Sequence, residues 1–190
     1  MLNDRELIKA ILGGNEAAFK TLYTIYKDMV YNTALSILQQ QIEAEDISQD
    51  VFIEIHKSIG KFRHNSSLKT WIYRITITKC YDYLKRQKTK KRFAQLTSLF
   101  NSENKLVYDK PHFEHPGVTL ENKEHASVLF LAISKLPIKQ QTAFTLSKIE
   151  HLSYKEIAEI MNTTTSSVES LIFRATRNLR VTLSEYYKNE

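Results

Sequence analysis

The sequence predicts an all-helical protein of two small domains joined by a flexible linker, the second containing a helix-turn-helix. Three observations carry this. Glycine and proline are scarce, at 4 and 3 in 190 residues. Apolar residues recur at three- and four-residue spacing through most of the chain, with few alternating, strand-like runs. Helical periodicity lapses only once at length, between about residues 94 and 117, where Asn101, Ser102, Pro111, Pro116 and Gly117 gather without an apolar pattern. The expected division is therefore residues 1–92, a linker at 93–117 and residues 118–190.

The first domain opens with Gly13-Gly14, a helix stop, and Asn15, a helix cap. Ala18, Leu22, Ile25, Met29, Val30, Thr33 and Ile37 then form an apolar stripe. A second helix starts near Glu43 with Ala44, Ile47, Val51 and Ile55 on one side, and Gly60 ends it. Ser66 or Ser67 can cap a third helix running through Trp71 and Ile75 towards Lys85. Beyond it lies a basic run, Lys85-Arg86-Gln87-Lys88-Thr89-Lys90-Lys91-Arg92, suited to phosphate contact or simply to the negative end of a helix dipole.

In the second domain one helix carries Val128, Leu129, Ala132, Ile133 and Leu136. Pro137 interrupts, and Ile138 to Ile149 continues. Ser153-Tyr154-Lys155-Glu156 reads as a capping box, as does Ser166-Ser167-Val168-Glu169. Two capped helices around the turn Asn162-Thr163-Thr164 fit helix-turn-helix geometry. On the final helix Val168, Leu171, Ile172, Ala175 and Leu179 should face the core. Ser166, Ser170, Phe173, Arg174 and Arg177 fall on the other side, where hydroxyls permit close approach to DNA and arginines reach guanine edges or phosphates. An ordinary pair of core helices with a charged exterior is the competing interpretation.

Composition narrows the partners. A net charge of +6 and a pI near 9.2 favour a polyanion. The single cysteine, Cys80, rules out an internal disulfide framework and suits a reducing cytosol. The start of the chain, Met1-Leu2-Asn3-Asp4-Arg5-Glu6, is unlike a secretion signal, so the chain reads as cytoplasmic. Catalysis is not expected: there is no phosphate-binding glycine loop and no positioned nucleophile. His112-Phe113-Glu114-His115, even with His125 or Cys80, makes a poor metal site, so neither metal nor cofactor is expected.

The first domain adds two features. Glu43, Asp46, Asp50 and Glu54 share one helix side, with Glu45 nearby; this is either a solvated face or a docking surface for a basic protein. Lys61-Phe62-Arg63-His64-Asn65-Ser66-Ser67-Leu68-Lys69-Thr70-Trp71 is a basic loop with aromatic ends, and Arg74, Thr78, Tyr81 and Lys85 line the helix that follows. Such a loop can hold phosphates and unpaired bases, or its aromatics can fill a core.

In this order the motifs resemble the extracytoplasmic-function (ECF) class of bacterial sigma factors. Gly14-Asn15-Glu16-Ala17-Ala18-Phe19 with Leu22-Tyr23 and Tyr26 is similar to the family's opening segment. Ala44-Glu45-Asp46-Ile47-Ser48-Gln49-Asp50-Val51-Phe52 resembles its segment that docks on the clamp helices of RNA polymerase. Thr70-Trp71-Ile72-Tyr73-Arg74-Ile75, then Asp82-Tyr83-Leu84, resembles the minus-ten segment. Leu136-Pro137, Thr142-Ala143-Phe144, Leu152 to Met161 and Ser167 to Ala175 resemble the minus-thirty-five reader.

The resemblance implies a region 2 domain and a region 4 domain. It implies core polymerase binding through Asp46, Gln49, Asp50 and Phe52. Minus-ten contact falls to Phe62, Arg63, Asn65, Lys69, Trp71, Tyr73, Arg74 and Thr78, where holding one extruded base offsets part of the unstacking cost. Minus-thirty-five contact falls to Ser166, Ser167, Glu169, Ser170, Phe173, Arg174 and Arg177. It further implies core RNA polymerase and promoter DNA as partners, with an anti-sigma factor as a third. A polymerase-independent helix-turn-helix regulator is the alternative, although such a protein has no need of the acidic segment. Thr78 stands where the family commonly has asparagine, Gln141 where it often has arginine, and Glu169 and Leu171 where basic residues are frequent. The promoter sequence is therefore this chain's own.

Overall fold

The computed structural model describes residues 3–98 and 123–188, and the side chains of 3–90, Arg92 and 128–184. All regular structure among them is helical. The His112–His115 segment and most of the expected linker lie outside the described residues.

Helix α1 spans Asp4–Leu12 and is opened by a capping box: Asn3 accepts from the Glu6 amide while Glu6 accepts from the Asn3 amide. Leu7, Ile8 and Ile11 are its buried residues. Gly14, at φ +79, makes the left-handed turn into α2. Helix α2 (Glu16–Leu38) starts at Asn15, whose side chain accepts from the Ala18 amide at 3.1 Å. The expected stripe faces inward except at Ile25, which is 56% exposed. At about 100° per residue Ile25 lies about 60° from Leu22, on the margin of the stripe, where no neighbouring helix covers it.

Helix α3 (Gln41–Ser58) buries Ala44, Ile47, Val51 and Ile55, as its pattern predicts. A 3-10 turn at Ile59–Lys61 contains Gly60 and leads into the loop. Ser67, not Ser66, is the cap of α4 (Leu68–Ser98), accepting from the Thr70 amide at 3.0 Å. The helix continues through the basic run and six residues past the expected domain boundary at 92. Residues 93–98 contain neither glycine nor proline, so nothing in them stops a helix even though the amphipathic pattern has lapsed. Helices α2, α3 and α4 pack on one another around Leu22, Val30, Leu35, Val51, Ile55 and Ile72.

The second domain comprises α5 (Lys123–Ser134), α6 (Ile138–Lys148), α7 (Tyr154–Met161) and α8 (Thr165–Lys188). Pro137 cannot continue α5, and it opens α6. Leu146, Ile157 and Val168 are fully buried at the crossing of α6, α7 and α8. Phe130, Ile133 and Leu136 pack against Ala175 and Leu179 in a smaller cluster. The two domains touch where α4 meets α7 and where α2 meets α5 and α6.

Cys80 is fully buried in α4, and burial pushes its thiol up to about 12. The folded protein is therefore expected to react with an aromatic disulfide reagent at pH 8 more than a hundredfold slower than the unfolded chain. Rapid labelling in native buffer would contradict this.

Candidate nucleic-acid interface

The helix-turn-helix is built from local hydrogen bonds that its sequence supplies. Ser153 accepts from the Glu156 amide at 3.3 Å, and Glu156 accepts from the Ser153 amide at 2.8 Å and its hydroxyl at 2.7 Å. Those two donors hold the Glu156 carboxyl below the usual range. Asn162 closes α7 in the left-handed region, at φ 50, where asparagine is tolerated better than most residues. The second expected capping box is corrected. Helix α8 begins at Thr165, and Thr164 accepts from the Ser167 amide at 3.1 Å. Ser166 and Glu169 thus lie inside the first turns, too far along to reach the cap.

This earlier start leaves the outward face unchanged. Ser166, Ser167, Glu169, Ser170, Phe173, Arg174 and Arg177 are all exposed. Phe173 is 68% exposed, an unusual position for so apolar a ring. Arg174 Nε donates to the Ser170 carbonyl at 3.1 Å, which steadies the guanidinium one turn along the face. Val168, Ile172, Ala175 and Leu179 are buried and Leu171 is half-buried, so the inward and outward sets separate as expected.

In the loop before α4, the Phe62 and Trp71 ring centroids lie 5.3 Å apart and Phe62 meets His64 at 4.7 Å. Both Phe62 and Trp71 are half-buried against the core, so packing and an accessible ring edge coexist. Arg63, Asn65, Lys69 and Thr78 are exposed. Tyr73 is different: it is 2% exposed, and its hydroxyl donates to Glu150 at 3.1 Å. Arg74 donates through Nε and Nη2 to the Glu159 carbonyl at 3.0 and 2.6 Å. Sequence reasoning missed Glu150 and Glu159 here, because neither belongs to a motif of the first domain.

The acidic side of α3 divides. Glu54 pairs with Lys79 of α4 at 3.2 Å. Asp46, Gln49 and Asp50 stay exposed, whereas Phe52 is 7% exposed. Phe52 packs on Tyr23 with centroids 4.7 Å apart. Together with Phe19, Tyr31, Gln49 and Ile53, these two rings line a groove of about 620 Å³ between α2 and α3. The lining also includes Lys27, Asp28 and Glu45, and a groove this apolar suits the apolar face of a protein partner better than it suits DNA.

Comparison with known proteins decides the family. Residues 22–90 match Sigma-70 region 2, and residues 128–179 match Sigma-70 region 4. The chain is 32% identical over 183 residues to the ECF RNA polymerase sigma factor SigW of Bacillus subtilis, covering 95% of this chain and 97% of that one. The chain belongs to the ECF group of the sigma-70 family. This sigma factor is also 32% identical over 178 residues to the ECF RNA polymerase sigma-E factor of Haemophilus influenzae, covering 92% of each. Its fold matches that of CnrH, solved in complex with the cytosolic domain of CnrY, with a TM-score of 0.67 at 20% identity over 96% of this chain and 97% of CnrH. It also matches the sigma factor RpoE of Bartonella quintana, solved with the anti-sigma factor NepR, with a TM-score of 0.62 at 20% identity over 87% and 96%. Among the described residues, no helix of the sigma factor is long and apolar enough to cross a membrane.

Proposed function

We infer that this ECF sigma factor directs core RNA polymerase to its promoters through two DNA contacts and one protein contact. The exposed carboxylates Asp46 and Asp50, with Gln49 and the Phe52 edge of the groove, dock on the polymerase. The loop and helix from Phe62 to Thr78 take the minus-ten element, with Arg63, Asn65 and Lys69 on phosphates or bases and Trp71 beside an extruded base. The α8 face from Ser166 to Arg177 reads the minus-thirty-five duplex. Domain limits near residues 92 and 118 belong to the same proposal, with the α4 extension to Ser98 carrying the basic run outward.

The single observation that carries this is the sorting of charge. One domain turns unpaired carboxylates outward, and the other turns hydroxyls, Phe173 and arginines outward from a helix-turn-helix. A repressor acting alone has use only for the second. The factor performs no chemistry itself; it positions DNA for the polymerase, in the cytoplasm. Its control falls to an anti-sigma protein, a reading supported by the likeness to the sigma factor RpoE, solved with the anti-sigma factor NepR.

Run-off transcription from fragmented genomic DNA, with purified core polymerase, tests the proposal. New start sites should appear only when the protein is added. A competent core that gains none would overturn it.

A further inference from the structure

The outward face of α8 between Ser166 and Arg177 carries a single negative group. Ser166, Ser167, Ser170 and Phe173 are neutral, Arg174 and Arg177 are cations, and Glu169 brings a carboxylate among them.

Nothing within the helix accounts for that carboxylate. A glutamate stabilises a helix mainly from the first turn, where the dipole favours an anion. Glu169 is the fifth residue of α8, and the first turn holds no acidic group. Pairing across one turn would need a cation three or four residues away. Thr165, Ser166, Ile172 and Phe173 stand at those positions. The side chain is exposed, with neither ion pair nor hydrogen bond among the described residues.

On a duplex the same carboxylate is unfavourable by default. Facing phosphates, it weakens binding to every sequence alike. It gains only where a base edge offers a donor. In the major groove cytosine offers its N4 amino group and no acceptor. Adenine offers an N6 amino group, but the N7 lone pair beside it repels the second carboxylate oxygen. Guanine and thymine present only acceptors, at N7 and O6 and at O4.

The helix places Glu169 where such an edge is met. The N-terminal residues of a recognition helix are the ones that contact base edges in the major groove. At about 100° per residue, Glu169 lies about 40° from Phe173 and about 140° from Arg174 around the axis. Carboxylate and guanidinium therefore flank the face, with Phe173 and Ser170 between them.

We propose that Glu169 is a specificity-determining residue that selects a cytosine in the minus-thirty-five element, at the base pair under the N-terminal end of α8. This role rests on the minus-thirty-five assignment made above and adds to it the base that the carboxylate requires. Glu169 acts largely by exclusion, because its charge penalises any base that turns an acceptor towards it.

Selection by the holoenzyme tests the proposal. Core polymerase carrying the wild-type factor, Glu169→Gln or Glu169→Ala is offered a promoter mapped by run-off, with its minus-thirty-five region randomised. The bound duplexes are then sequenced. The wild type should enrich one cytosine, and replacing it by any other base should weaken duplex binding by about fivefold or more. Glu169→Gln should move the preference at that pair to adenine, whose N6 and N7 a carboxamide meets together. Glu169→Ala should bring the four bases there within about twofold of one another. It should also bind unselected duplex more tightly than the wild type does, with the difference shrinking as salt is raised.

A selected element that neither substitution alters would overturn the role of Glu169 while leaving α8 as the reader. A pair that responds to both substitutions but holds another base in the wild type would overturn the choice of cytosine. No selected sequence at minus thirty-five in any form, with initiation from the minus-ten element intact, would instead overturn the minus-thirty-five assignment itself.

Discussion

Asp46→Lys combined with Asp50→Lys is expected to weaken association with core RNA polymerase by at least a hundredfold while leaving the protein folded. Both carboxylates lie on the exposed side of α3, one helical turn apart. Neither has an ion pair or hydrogen bond among the described residues. Their charge is therefore available to a partner. Reversing it replaces attraction by like-charge contact against a basic surface, which costs about 3 kcal/mol or more across an interface. Stability should move by no more than about 0.5 kcal/mol, as for surface changes that touch no cap or core. Relief of repulsion from Glu43 and Glu54 offsets any loss. Fluorescence anisotropy of labelled protein titrated with core gives the affinity, and thermal melting gives the control. A loss below tenfold would remove these residues from the docking surface.

Arg174→Ala should weaken binding of the minus-thirty-five duplex by about 1–3 kcal/mol, roughly 5- to 150-fold, and leave polymerase binding unchanged. The side chain is exposed on α8, and its hydrogen bond runs to Ser170 of the same helix. Truncation therefore removes a cation from the recognition face without opening the core beneath Ala175. Titrations at several salt concentrations separate two modes of contact. A guanidinium on a phosphate should lower the salt slope by about 1 and weaken all sequences alike, whereas one on a guanine edge should relax discrimination at one base pair. Polymerase binding lost with DNA binding retained would show that this face was misassigned.

Much of the scaffold for these sites was legible because it depends on neighbours in sequence. The Ser153 and Glu156 cap uses residues three apart, and the buried set of α3 follows from helical spacing alone. The same locality explains the errors. Ser166 and Glu169 have cap-like spacing, but Thr164 offers its hydroxyl two residues earlier and wins the helix start. Ile25 fits the stripe numerically, yet its exposure depends on which helix passes beside it. Helix α4 outlasts its amphipathic pattern, since propensity sustains a helix that packing no longer requires.

The seam between the two domains was not legible at all. Gln141, Thr142 and Thr145 on α6 have the composition of a solvated face, yet all three are buried. Glu150 stands in a loop with no motif around it, but it anchors Tyr73 from 77 positions away in sequence. Such partners are chosen by where whole helices come to rest, and no periodicity encodes that.

By itself, then, the sequence determined the helical class, the helix-turn-helix, the outward faces of α3 and α8 and the family resemblance. Each of these depends on residues within a few turns of one another. Only the tertiary structure decided that Arg74 and Tyr73 are held by the second domain, that Glu54 is tied to Lys79 while Asp46 and Asp50 stay free, and that a polar seam joins the domains. Those outcomes are fixed by contacts between surfaces distant in the chain, where burial and hydrogen bonding are settled only after the helices have formed.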